Sequence, residues 1–276
     1  MKGFVLKFAA AAISAATLAA VTLGSTLADE LSDIKSRGTL VVGVKGDSRP
    51  WGYLDPQGKP IGMEVDLAQD VAKRLGVKLQ AVVVQSSNRI EFLNQGRVDM
   101  LIATMYDTKE RRRAIDMIQP HYYSAATNVL ARKSAKLKEW KDLTGKPVCG
   151  QQGSVYNKWI EKTYGAKAMS LPTIEEGYAA LRAGNCVAFV YNDLLLEMAA
   201  KEPQWKDYEV PLPSEDRQYH SIGVRKGEAE TEFGKTLSGI VTDWHKSGFL
   251  IDLNAKWGVA PNTFLEEEHK KLANQK

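Results

Sequence analysis

Hydroxyl and guanidinium side chains follow directly on a short apolar run within residues 99–123. The run 100–103 has the length and character of a buried strand, and Thr104, Tyr106 and Arg111 come soon after it. A polar loop at the carboxyl end of a buried strand is where open α/β sheets bind ligands. An arginine fork can bind a carboxylate through two parallel hydrogen bonds, while neighbouring hydroxyls fix its orientation. The stretch therefore predicts a binding site for a small anionic group.

The arginines of the charged run 109–113 need not share one role. A run of charges is usually a solvated turn, and we predict this for Arg112 and Arg113. Arg111 is different because a buried strand and two hydroxyl side chains precede it. We therefore expect Arg111 to face a ligand.

The order of these residues resembles the family 3 solute-binding proteins, the extracytoplasmic amino-acid receptors of ABC importers. The resemblance implies that Thr104, Tyr106 and Arg111 hold the α-amino and α-carboxylate groups of an amino acid. The segment from Gly62 to Leu67 also resembles a signature of that family, in which glycine precedes two spaced carboxylates and a leucine. We interpret those carboxylates, Glu64 and Asp66, as helix-start residues favoured by the helix dipole rather than as an acid–base pair.

Two further segments near strand ends carry cations. The Ser86–Arg89 step is similar to that of glutamate/aspartate-binding members of the family, and the resemblance implies that Ser86 and Arg89 read a side-chain carboxylate. Lys45 stands where those members place another side-chain-reading cation. The alternative is that Arg89 pairs with Glu91 or lies on the surface. Trp51 lies in the loop after Lys45, and both a cleft-wall and a core role are open for it.

The middle of the chain supplies a second set of polar candidates. Ser154 precedes a predicted helix, and the free N–H groups at a helix start can bind an anion. The resemblance implies that Ser154 adds to the carboxylate site, which is compatible with a plain N-cap. The family places an aspartate for the ligand's ammonium after a strand where this chain has Asn192, with Asp193 next. The sequence leaves open which of the two takes the ammonium.

Composition excludes several classes of protein. The chain has 276 residues, with 44% hydrophobic and 25% charged residues, which argues against disorder. The formal charge of +4 falls to +2 once residues 1–28 are removed, so no nucleic-acid partner is expected. The sequence shows no clustered histidines, cysteines and carboxylates, so neither a metal site nor a cofactor is predicted.

Residues 1–28 predict a secretory signal peptide, with a lysine-flanked start, an alanine-rich apolar centre and cleavage after about Ala28. A membrane anchor is less consistent with the polar residues that interrupt the segment. A lipid anchor would need a cysteine at the cleavage site, and the only cysteines are Cys149 and Cys186. We expect export to an oxidising compartment, which the resemblance makes the bacterial periplasm.

Alternating strand and helix patterns occur in about residues 40–124 and again in about 148–213, which predicts two α/β units. The resemblance implies a two-lobe fold of the type II periplasmic-binding-protein kind, each lobe a mainly parallel sheet flanked by helices, with the ligand cleft between them. Residues 29–124 and 223–276 would form lobe 1, and residues 125–222 lobe 2. Two cysteines in an exported chain favour pairing, and family members with a disulfide at these places imply a Cys149–Cys186 bond.

The function that follows is the capture of a free L-amino acid, glutamate or aspartate favoured, and its delivery to an ABC permease in the inner membrane. A monomer without catalytic residues is expected. A periplasmic dehydratase acting on a cyclic carboxylic acid is an alternative, for which His121 and His220 would have to face the cleft. A ligand sensor for a signalling receptor would use the same pocket.

Overall fold

The strands and helices of the computed structural model lie within residues 30–274, the part of the chain that the structure describes. The predicted signal peptide and its cleavage after Ala28 lie outside the described residues. The strands are β1 (Thr39–Lys45), β2 (Asp47–Ser48), β3 (Gly52–Leu54), β4 (Pro60–Ile61), β5 (Lys78–Val84), β6 (Met100–Leu101), β7 (Asp116–Met117), β8 (Tyr123–Arg132), β9 (Pro147–Gln151), β10 (Lys167–Leu171), β11 (Ala188–Asn192), β12 (Tyr208–Glu209), β13 (Glu215–His220) and β14 (Gly223–Val224). The helices are α1 (Glu30–Arg37), α2 (Met63–Leu75), α3 (Arg89–Asn94), α4 (Tyr156–Tyr164), α5 (Ile174–Ala183), α6 (Asp193–Ala200), α7 (Glu232–Ser247), α8 (Phe249–Lys256) and α9 (Thr263–Ala273).

The first lobe is built on a five-stranded sheet in the order β5-β1-β6-β14-β7. Strand β1 is parallel to both β5 and β6, whereas β14 is antiparallel to β6 and β7. Strand β14 follows the second lobe in the sequence, so this sheet combines segments from before and after that lobe. A small antiparallel sheet of β2, β3 and β4 lies beside it.

The second lobe is built on a six-stranded sheet in which β10-β9-β11-β8-β12 are neighbours and β13 also pairs with β8. Strands β9, β10 and β11 are parallel, as the repeated strand–helix pattern predicts. Strand β8 is antiparallel to its partners β11, β12 and β13. Its first residues, from Tyr123, pair with the last residues of β13, up to His220. The two chain segments that link the lobes therefore run side by side.

Each lobe has its own core because its helices bury one apolar face against a sheet. Helix α2 buries Leu67 and Val71, and it ends at Gly76, whose φ of +73° is the left-handed conformation of a C-terminal cap. The C-terminal helices return to the first lobe. Asp66, near the start of α2, accepts hydrogen bonds from Lys256 and from the indole of Trp257, at 2.8 and 2.7 Å.

The predicted disulfide between Cys149 and Cys186 is confirmed, with a Cα–Cα distance of 5.7 Å. Cys149 lies in β9, and Cys186 comes just before β11, the strand paired with β9. Between residues 30 and 274, none of the helices is long and apolar enough to cross a membrane.

Candidate functional site

Strand ends from both lobes converge on one interior region. From the first lobe come the end of β1, the segment before α3 and the segment after β6. From the second lobe come the ends of β9 and β11. All of these are carboxyl ends, where backbone leaves the sheet and side chains can turn towards a shared space.

The guanidinium of Arg111 is buried at this junction, and the residue is only 8% exposed. Its Nη1 donates to the carbonyl of Tyr106 at 2.9 Å, and its Nη2 donates to the carbonyl of Gly153 in the second lobe at 3.3 Å. Burial lowers the pKa of Arg111 to about 9, and the charge of nearby Arg89 acts in the same direction. Arg111 is therefore still charged at neutral pH. Arg112, in contrast, is exposed and paired with Asp107.

Thr104 stands at a bend just beyond β6, with a φ of +48°, a left-handed value that is uncommon for a residue with a Cβ. Its N–H donates to Oε1 of Glu64 at 2.7 Å, and the hydroxyl of Tyr122 donates to the same oxygen. Glu64 is fully buried. Burial raises its pKa to about 7, against the opposing effect of the two hydrogen bonds. Glu64 does more than favour a helix start, because it holds the backbone of a candidate ligand residue.

Arg89 lies on the other side of the same bend and is 2% exposed. Its Nη1 donates to the carbonyls of Ala103 and Thr104 and to the Thr104 hydroxyl, the last two at 3.2 and 3.3 Å. Neither a surface position nor a pairing with Glu91 is observed, since Glu91 accepts from Gln95 instead. The Nε of Arg89 has no hydrogen-bond partner within residues 30–274. Burial lowers the pKa of Arg89.

Lys45 ends β1 and is fully buried. Its ammonium contacts Oδ1 of Asp47 at 2.9 Å, the hydroxyl of Ser86 at 3.1 Å and Oε1 of Gln151 at 3.5 Å. An ammonium has three N–H groups. Each of them is engaged within the protein, so in this conformation Lys45 has none left for a ligand.

Gln151, which the sequence analysis did not single out, joins the two lobes. Its Oε1 accepts from Ser86 at 2.9 Å and from the hydroxyl of Tyr191 at 3.1 Å, while its Nε2 donates to Oδ2 of Asp47 at 2.7 Å. The side chain is fully buried. Gln151 is the last residue of β9, the strand whose end leads to Ser154. That position at a strand end is the sequence signal that could have predicted a role for Gln151 in the site.

Ser154 is half-buried, and its hydroxyl donates to Oδ1 of Asn157 at 3.5 Å. Helix α4 begins two residues later, at Tyr156, and Ser154 is not its cap. Ser154, Arg111 and Ser86 together line a cavity of about 650 Å³ between the lobes. The structure thus brings these three predicted site residues together.

Aromatic rings form the wall of the junction nearest the linking segments. The hydroxyl of Tyr156 donates to that of Tyr106 at 2.9 Å, so the two lobes meet here as well. The imidazole of His220 packs against Tyr106 and Trp51, with ring centroids 4.6 and 4.8 Å apart. Trp51 also packs edge-on against Tyr123 at 4.4 Å and is 1% exposed. Trp51 is therefore a core residue of this wall.

Asn192 and Asp193 both act at the start of α6. Oδ1 of Asn192 accepts from the N–H of Leu195 at 2.8 Å as the N-cap. Its Nδ2 has no partner among the described residues. Oδ1 of Asp193 accepts from the N–H groups of Ala126 and Leu194, at 3.1 and 2.9 Å. The bond from Ala126 connects α6 to β8, the strand whose first residues link the two lobes.

The assembled groups are suited to hold a small charged molecule. Arg111 has donors to spare, since a guanidinium carries five N–H groups and two are used here. No three histidine, cysteine or carboxylate side chains of residues 30–274 come together as a metal site requires.

Comparison with known proteins gives consistent matches over most of the chain. The sequence pattern of the family described as bacterial extracellular solute-binding proteins, family 3, matches residues 40–260. An L-glutamate/L-aspartate-binding protein of Pseudomonas aeruginosa is 31% identical, over 95% of this chain and 93% of the relative. An L-cystine-binding protein of Escherichia coli strain K12 is 27% identical, over 89% of this chain and 92% of the relative.

Solved structures match the fold as well. A mutant of ArgBP from T. maritima superposes with a TM-score of 0.76 and 27% identity, covering 83% of this chain and 98% of that chain. A solute receptor for L-cysteine of Neisseria gonorrhoeae superposes with the same TM-score, 0.76, and 28% identity, covering 82% of this chain and 92% of that chain. The predicted two-lobe α/β fold is confirmed.

Proposed function

This chain belongs to the bacterial extracellular solute-binding proteins of family 3, and from that premise we propose that it captures a free L-amino acid between its lobes and delivers it to an ABC permease. It is a binding protein, not an enzyme. Relatives of this chain carry names for several ligands, including glutamate or aspartate, glutamine and cystine. The family membership therefore leaves the side chain of the ligand to be argued from the site.

The observation that carries the proposal is the buried guanidinium of Arg111 between the lobes. Its two hydrogen bonds go to backbone carbonyls, one in each lobe, so within residues 30–274 no carboxylate neutralises it. A buried cation of this kind is stabilised by an anion that brings its own charge. The α-carboxylate of an amino acid supplies that charge, with Thr104, Tyr106 and Ser154 around it.

Asp193 is the better candidate for the ligand's ammonium. The oxygen of Asn192 is already engaged as a helix cap, and its unpartnered group is an N–H₂ donor, which suits an anion. Burial raises the pKa of Tyr106 and of Tyr156, and the charge of Asp193 contributes to both shifts. The charge of Asp193 therefore acts on the buried hydroxyls of Tyr106 and Tyr156, while its side chain lines a separate cavity with Ser124 and Arg217.

The preference for an acidic side chain rests on Arg89. Lys45 and Ser86 are both engaged in the contacts between the lobes, so of the two cations predicted to read the side chain, Arg89 is the one with an N–H that has no partner among the described residues. A second guanidinium near Arg111 favours a ligand with a second carboxylate. The name of the Pseudomonas aeruginosa relative is consistent with glutamate or aspartate. Trp51 and Tyr106 would bound the space for the ligand.

We also propose the boundaries predicted above, with residues 29–124 and 223–276 as one lobe and 125–222 as the other. Support comes from the cores, because β14 and the C-terminal helices pack with the first lobe. Export to the periplasm after cleavage near Ala28 and a monomeric state complete the proposal.

Calorimetry on the mature protein with the common amino acids tests this function. We expect one or a few polar amino acids to bind, and Arg111→Ala to weaken binding by about 2–5 kcal/mol because the ligand carboxylate loses its buried partner. Arg112→Ala is the matched control, since it removes an exposed arginine that pairs with Asp107. Near-native affinity in Arg111→Ala would contradict the proposal.

A further inference from the structure

The buried ion pair of Lys45 with Asp47 is a feature that the binding proposal does not use. Lys45 is fully buried, and its ammonium is 2.9 Å from Oδ1 of Asp47. Its other two contacts, with Ser86 and Gln151, are with neutral groups. Asp47 is therefore the counter-ion of Lys45. Burial lowers the pKa of Lys45, and the charge of Asp47 opposes that shift.

The carboxylate of Asp47 is itself held in place from both lobes. Its Oδ2 accepts from Nε2 of Gln151 at 2.7 Å and from the N–H of Ile174, at the start of α5, at 3.5 Å. The hydroxyl of Ser48 donates to Oδ1 at 3.4 Å. The Asp47 side chain is 15% exposed. Because both oxygens are engaged, the carboxylate stays on Lys45 when the lobes are together.

We propose that Asp47 is a specificity-determining residue. It supplies Lys45 with an internal carboxylate and thereby reduces the preference of the site for an acidic amino acid over the corresponding amide. This inference rests on the proposed function. Lys45 and Asp47 together add no net charge to the region that meets the ligand's side chain. Of the two cations predicted to read that side chain, only Arg89 then attracts a carboxylate.

Removing the charge of Asp47 should reverse this effect. A buried cation that has lost its partner is strongly destabilising. In Asp47→Asn the ammonium of Lys45 would gain most from a carboxylate on the ligand, and the neutral amide of glutamine could not replace it. The ratio of glutamate to glutamine affinity should therefore rise by about tenfold or more.

The experiment measures the affinities of glutamate, glutamine, aspartate and asparagine by calorimetry for the wild type and matched variants. Asp47→Glu keeps a carboxylate beside Lys45 and should keep the wild-type ratio. Asp55→Asn removes a carboxylate from a turn of the same lobe, where the aspartate only accepts backbone N–H groups, and should also leave the ratio unchanged. Lys45→Met combined with Asp47→Asn removes both charges and should abolish the rise.

Lys45→Met alone gives a second test, independent of whether Asp47→Asn folds. It leaves the carboxylate of Asp47 without its cation, so the glutamate-to-glutamine ratio should fall by about tenfold or more. Ratios that stay within about twofold of the wild type in Asp47→Asn or in Lys45→Met would overturn the role of Asp47. A wild type that binds none of the common amino acids would instead contradict the proposed function.

Discussion

Buried charged side chains surround the bend at Thr104, and backbone groups hold them. Glu64 accepts from the N–H of Thr104, Arg89 donates to carbonyls of the bend, and Arg111 donates to carbonyls of both lobes. Backbone dipoles fix the orientation of a charge without neutralising it. The two guanidiniums thus keep their net charge for a ligand, whereas Lys45 is neutralised by Asp47.

Glu64 should make the stability of the protein depend on pH. Its raised pKa, about 7 against an ordinary value of 4.5, means that the folded protein holds a proton that the unfolded chain releases. Its contribution is therefore fully present below about pH 4.5 and is lost as the pH rises through about 7. Relative to Glu64→Gln, the wild type should lose about 3 kcal/mol of unfolding free energy between pH 4.5 and 8. Urea unfolding of the wild type and of Glu64→Gln across that pH range measures this loss.

Glu30→Gln is the control for this prediction. Burial also raises the pKa of Glu30 to about 7, and this carboxyl pairs with Arg225, with its side chain 15% exposed. Its contribution should have the same sign as that of Glu64, so Glu30→Gln should remove a separate part of the pH dependence and keep the part that belongs to Glu64. A difference between the wild type and Glu64→Gln that is the same at every pH would show that Glu64 does not titrate in this range.

How much of the site can be predicted from sequence depends on whether its residues follow one strand or lie on several strands and helices that meet only in the fold. The pattern of an apolar run followed by polar residues predicts Arg111 and Thr104, because a strand end is visible within one short segment. It does not predict Gln151 or Asp47, because their role depends on which strand ends face each other across the lobes. Glu64 is visible as a helix-start carboxylate, yet its partner Thr104 lies forty residues away. These pairings arise from long-range packing, which a local sequence pattern does not predict.

The disulfide links β9 to the segment just before β11, in addition to the hydrogen bonds between these strands, and this predicts a stability effect. Replacing Cys149 and Cys186 with Ala should lower the unfolding free energy by about 4 kcal/mol on the chain-entropy model, because the bond closes a separation of 37 residues in the unfolded chain. Ligand affinity should change little, since both cysteines are buried in the second-lobe core. Urea unfolding and calorimetry measure the two quantities.

A reductant provides the internal control for the disulfide. It should shift the unfolding midpoint of the wild type towards that of the variant and leave the variant unchanged. Equal midpoints for the oxidised wild type and the variant would show that the bond adds no stability.

At the scale of the whole molecule, the two lobes meet through side chains of the candidate site itself. Gln151 bonds to Ser86, and Tyr156 bonds to Tyr106. At the rim, Lys158 pairs with Glu110, but both side chains are about three-quarters exposed and the pair contributes little. Closure and ligand recognition therefore depend on the same buried residues. A ligand can favour the closed arrangement only through contacts that are better there than in an open one.

Gly153 offers a way to separate closure from recognition. A Cβ on this residue would lie 2.6 Å from the backbone carbonyl of Ser86, in the opposite lobe, and the backbone there cannot move aside as a side chain tip would. Gly153→Ala should therefore keep the lobes from closing fully and weaken ligand affinity by about tenfold or more, because the closed state that binds best becomes less populated.

Gly165→Ala is the matched control, because both glycines have left-handed backbone and any side chain is strained there. The φ values are +76° at Gly153 and +67° at Gly165, so both variants should lose about 1–2 kcal/mol of stability. At Gly165 the nearest atom to a new Cβ is a methyl of Thr144 at 3.7 Å, which is an ordinary contact. Small-angle scattering with saturating ligand should show a larger radius of gyration for Gly153→Ala alone. If both variants bind and close like the wild type, the lobe contact at Gly153 does not limit closure.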